Sequence, residues 1–60
     1  GAEGNMKKGD TIEFNDPEIM IDMMYNLNRD GIETDFLFEK DGERGLWLVV
    51  TKVKRKSKAR

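Results

Sequence analysis

The chain contains no cysteine and no histidine, and only one proline. Each absence closes a class of function. Without cysteine there is neither a disulfide framework nor a thiolate nucleophile. Without histidine the commonest general base is missing, and a zinc site would have to be built from carboxylates alone. No metal or cofactor is therefore expected. No glycine loop able to cradle a phosphate, no nucleotide fingerprint and no nucleophile beside a base is present, so an enzyme is not expected either. No apolar run approaches the ~20 residues of a membrane span, and the N-terminal residues lack the apolar core of a secretory signal. The expectation is a small cytoplasmic protein of bacterial type with no membrane partner.

What is present is one small domain with a divided charge. A domain of 60 residues buries only ~60% of its unfolded surface and has little stability to spare. A partner or a second copy of itself would help to hold it. Residues 1–51 carry twelve acids against five bases, a balance of −7, whereas KVKRKSKAR at 52–60 carries six bases and no acid. The body is acidic and the tail is basic. Residues 1–5 precede a Met-Lys-Lys start at Met6 and read as an appended segment outside the fold. The domain is expected over 6–53, with 54–60 a basic disordered tail, because those residues have too little apolar surface to offset the entropy of ordering.

Three patterns give the elements. DTIEFN at 10–15 alternates Ile12 and Phe14 with polar neighbours, as a half-buried strand does. NDPE follows, where Asp16 suits an N-cap, Pro17 the first helical position and Glu18 the positive end of the helix dipole. From there Met20, Met23, Met24 and Leu27 form an apolar stripe to about Arg29, with Ile21 and Tyr25 flanking it, and Gly31 supplies a left-handed C-cap. IETDFLFE at 32–39 puts Ile32, Thr34, Phe36 and Phe38 on one face and Glu33, Asp35, Leu37 and Glu39 on the other. Asp41-Gly42 is a type I′ hairpin signal, with Gly45 also permitting a longer loop. The last strand, Leu46 to about Lys54, is apolar on both faces.

These elements predict an α+β fold: a single small domain of order β-α-β-β, with a three-stranded mixed sheet in the order 1-3-2 and one helix on one face. A right-handed crossover makes the first two strands parallel, and the hairpin lays the third between them. A loop of two or four residues sets Phe36 and Phe38 beside Trp47 and Val49, and an odd loop sets them beside Leu46, Leu48 and Val50. In either case one apolar group of the sheet lacks a cover.

The stretch MKKGDTIEFNDPEIMIDMM…DGIETDFLFEKDGERGLWLVVTKV resembles the C-terminal two-thirds of the TusA-like (SirA-like) sulfur-carrier family. Gly9, Asp16, Pro17, Asp22, Gly31 and the turn at 41–42 carry the resemblance, which covers about residues 6–54. It implies a two-layer α/β sandwich. The family's Cys-Pro-x-Pro segment has no counterpart here, so the resemblance implies a related scaffold without the catalytic cysteine of sulfur relay.

Four groups of residues invite a functional reading. Asn26, Asn28, Asp30 and Gly31 have the spacing of a calcium loop, but Leu37 stands where the bidentate glutamate is needed, and a helix end explains them better. A catalytic pair of carboxylates needs burial or close coupling, whereas Glu33, Asp35 and Glu39 alternate along an exposed strand face. The tail residues Lys52, Lys54, Arg55, Lys56, Lys58 and Arg60 could neutralise phosphates, which makes a nucleic-acid accessory protein the alternative function. No aromatic side chain is interleaved with them to stack bases. Leu37, Leu46, Trp47, Leu48, Val49 and Val50 form the strongest group, because exposed apolar patches mark interfaces and Trp is enriched among binding hot spots. The expected function is a non-catalytic interaction module, binding a protein partner or a second copy through the open sheet face or an edge strand.

Overall fold

A computed structural model describes residues 6–54. The order is β1 (Thr11–Phe14), α1 (Pro17–Arg29), β2 (Ile32–Lys40) and β3 (Glu43–Val53). The sheet has the order β1-β3-β2. Both outer strands run antiparallel to β3. β1 and β2 are thus parallel to each other, as a crossover requires, but never adjacent. The strand order and directions are those expected, but the sheet is antiparallel and not mixed, because placing β3 between β1 and β2 leaves no parallel pair hydrogen-bonded.

The local signals act where the sequence places them. Asp16 caps α1, its Oδ1 accepting the Glu18 N–H at 2.9 Å, with Pro17 beginning the helix. Asp30 closes the other end, its N–H donating to Leu27 O at 2.9 Å. Gly31 follows at φ 89°, a conformation that costs glycine nothing and other residues ~1 kcal/mol or more. Its carbonyl accepts the Lys54 N–H at 2.7 Å. A Cβ on Gly31 would lie 2.7 Å from Lys54 O, so the helix end and the end of β3 meet through a residue that cannot carry a side chain.

The hairpin resolves the register in an unexpected way. Asp41 at φ 54° and Gly42 at φ 83° form the two-residue turn, and Lys40 pairs with Glu43 across it. An unbroken ladder from that turn would set Phe36 opposite Trp47. Phe36 instead faces Leu48, because the register shifts between Leu37 and Glu39. One extra residue in β3, between Arg44 and Trp47, restores the pairing that an odd loop would have given.

The core lies between α1 and one face of the sheet. Met20, Leu27, Ile32, Leu48 and Val50 are buried, with Met6, Ile12, Phe14, Met23, Met24, Leu46 and Val53 packed against them. Burying a side chain such as Leu27, Leu48 or Val50, each fully enclosed, contributes about 1.5–3 kcal/mol. The methionines of α1 are core, as their spacing predicts. The helix does not reach the whole face, however. Its 13 residues span about 20 Å, whereas the 11 residues of β3 span about 36 Å. The turn end of the β2–β3 hairpin therefore projects past α1, in a body measuring 43 × 22 × 16 Å.

Candidate functional site

The six apolar residues singled out as an interface do not form one surface. Leu48 and Val50 are 0% and 1% exposed beneath α1, and Leu46 packs against the same core. Leu48 and Val50 hold the domain together and offer nothing to a partner, and Leu46 is half-buried beside them. Leu37, Trp47 and Val49 lie on the opposite face, where Leu37 pairs with Trp47. Trp47 is nevertheless only 6% exposed. Its cover is partly local: a Cβ on Gly45 would meet the indole Cη2 at 2.8 Å, so the rim of the six-membered ring lies against the glycine. Leu37 and Glu13 stand beside it as cross-strand partners. A glycine two residues before the tryptophan gives the ring room against the sheet, and Trp47 is buried while Leu37 and Val49 on the same face stay half-buried.

The apolar surface that does remain open is on the helix side. Phe36 is 38% and Phe38 58% exposed, although their alternation predicts core positions. The two rings stack, with centroids 6.2 Å apart. They occupy the part of β2 that overhangs α1, which is why exposure rises toward the turn. Ile19, Ile21 and Tyr25 are exposed on α1 itself at 57%, 40% and 62%.

The same strand is an edge. Among the described residues no strand pairs with the outer side of β2. The direction of its main-chain groups follows from β3. Val50 uses both of its groups toward the N-terminal strand: its N–H donates to Asp10 O at 2.8 Å and its carbonyl accepts the Gly9 N–H at 2.8 Å. Thr34, which faces Val50, must then turn its own N–H and C=O outward, and so must Phe36 two residues on. The Phe36 N–H finds only a local acceptor, Asp35 Oδ1 at 2.8 Å. A side chain that occupies a free edge amide is one of the devices that blunt sheet edges.

Charge grades the outer face of this edge. Glu33, Asp35 and Glu39 alternate along it, and Glu33 pairs with Lys54 Nζ at 3.1 Å. Lys52 lies opposite Glu33 in the ladder. Two of the six proposed phosphate-binding bases thus face an acid, and Lys54 belongs to the folded body rather than the tail. Arg55, Lys56, Lys58 and Arg60 lie outside the described residues. Asn26 and Asn28 are helical and Asp30 is the C-cap, which makes this stretch a helix end. Among the described residues no group of three or more Asp or Glu side chains converges as a metal site would need. No helix among them is long and apolar enough to cross a membrane. No family model, no curated protein and no solved structure matches this chain.

Phe36 and Phe38 were missing from the sequence-derived site because a period of two assigns a face and not a cover. The available signal was length: a stretch of alternating residues longer than the helix that should roof it.

Proposed function

We propose that the protein is a non-catalytic interaction module that accepts an extended polypeptide strand along the open edge of β2. The observation that carries this reading is the pairing of two features on one strand. Outward-facing main-chain groups of Thr34 and Phe36 run beside the exposed, stacked rings of Phe36 and Phe38. Main-chain groups give an added strand its affinity, and side chains at alternate positions give it specificity. The resemblance to the TusA-like family fits the same reading, as a scaffold that has kept its architecture without the cysteine chemistry. Nucleic-acid binding through the tail has less support, since Lys52 and Lys54 are matched to Glu33.

Amide hydrogen exchange tests the proposal. In dilute protein the Thr34 amide should exchange fast, and on association it should become protected together with that of Phe36. Association that leaves both amides as fast as before would place the contact elsewhere.

A further inference from the structure

We infer that the strand added to β2 is the basic segment 55–60 of a second copy of this chain, so that two copies exchange their C-terminal segments. The inference rests on the edge reading above and names its occupant.

Three observations select that occupant. The first is a match of period as well as of sign. From Lys52 onward every second residue is basic, through Lys54, Lys56, Lys58 and Arg60. On β2 every second residue from Glu33 to Glu39 is acidic except Leu37. Alternate residues of an extended segment share a face, so Lys56, Lys58 and Arg60 would line the side that meets the acids. Arg55, Ser57 and Ala59 would fall on the side of Phe36 and Phe38, where a guanidinium can lie on an aromatic ring.

The second observation excludes the simplest competitor, two β2 edges pairing directly. In a two-fold antiparallel pair centred on Phe36, Glu33 meets Glu39. Centred on Leu37, Asp35 meets Glu39, and centred on Asp35, that residue meets itself. Each of the three longest registers sets acid against acid, which destabilises a pair of strands.

The third concerns reach. The Lys54 N–H is bonded to Gly31 O at 2.7 Å, on the inner side of β2. Residues 55–60 span about 20 Å when extended. To lie along the outer edge of its own β2, the segment would have to reverse around the start of that strand, and a turn of about four residues would take up 55–58 and with them Lys56 and Lys58, two of the three alternate bases. The segment of a second copy loses nothing to a turn. Reciprocal exchange closes the assembly as a two-fold dimer.

Charge-swapped full-length chains give the test. Sedimentation velocity up to about 1 mM protein should show self-association that weakens at least tenfold between about 50 mM and about 500 mM salt. The tail variant Lys56→Glu/Lys58→Glu/Arg60→Glu and the edge variant Asp35→Lys/Glu39→Lys should each be monomeric. Both sets in one chain should restore association to within a few-fold of the original, with circular dichroism confirming that every variant is folded. The inference is overturned if the original chain stays monomeric at low salt, if either single set leaves association intact, or if the combination fails to restore it. Phe38→Ser separates the two levels. If it abolishes association while the tail variant does not, the edge is right and the occupant wrong. If neither matters, both fail.

Discussion

Thr34 carries the one buried side-chain polar atom without a hydrogen-bond partner among the described residues, its Oγ1. It faces Val50, which is 1% exposed, on the sheet face that α1 covers. A hydroxyl taken from water without a compensating bond costs about 1–3 kcal/mol. Thr34→Val keeps the shape and the β-branch suited to a strand, and it replaces the hydroxyl with a methyl that packs against the same neighbours. The expected gain is about 1 kcal/mol. In a domain of this size that raises Tm by about 4–8 °C, and a thermal melt followed by far-ultraviolet circular dichroism reads it directly. Thr34→Ser supplies the opposite control. It keeps the hydroxyl, loses the methyl and should melt lower than the parent. A Val variant that melts at or below the parent temperature would refute the reasoning, because it would mean that the hydroxyl has a bond worth keeping.

Four further substitutions probe other links. Gly31→Ala forces a left-handed backbone on alanine and sets its Cβ 2.7 Å from a main-chain oxygen. It should cost more than about 2 kcal/mol in chemical denaturation. Gly45→Ala meets only the indole edge, so Trp47 must lift. A cost of about 1–2 kcal/mol with red-shifted tryptophan fluorescence is expected, and unchanged emission would contradict the placement of the ring against Gly45. Asp16→Ala removes the cap on the Glu18 amide and should lose about 1 kcal/mol. Phe38→Ser, at a residue 58% exposed, should change monomer stability by no more than about 0.5 kcal/mol. A large loss at Phe38 would make it a core residue and remove it from the edge surface.

The parts of the fold legible in the sequence are those set by single residues acting on their own backbone. Asp16, Pro17 and Gly31 mark α1, and Asp41-Gly42 marks the turn. Each does so through a bond or a dihedral angle that needs no distant partner. The strand order followed from the crossover and the hairpin, which let the doubly apolar Leu46–Val50 sit between the other two strands. What escaped was set by relations between elements. The bulge between Arg44 and Trp47 is invisible beside a turn signal that already accounts for the glycines there. Its effect is to bring Phe36 opposite Leu48. The burial of Trp47 depends on Gly45 lying against the rim of the ring. The candidate site suffered most, since apolar composition pointed at Trp47, Leu48 and Val50, which are buried, and away from Phe36 and Phe38, which the short helix leaves bare.

Among the described residues every rung of the sheet involves β3, which follows β1, α1 and β2 in the chain. A ribosome making this protein releases β1, α1 and β2 with nothing for either strand to pair with, and the sheet can form only once Leu46–Val53 has emerged. Premature termination anywhere before that stretch yields a fragment with no ladder at all, not a weakened domain. Folding of the domain accordingly waits for β3, and until that strand is made the aromatic residues of β2 have no sheet to belong to.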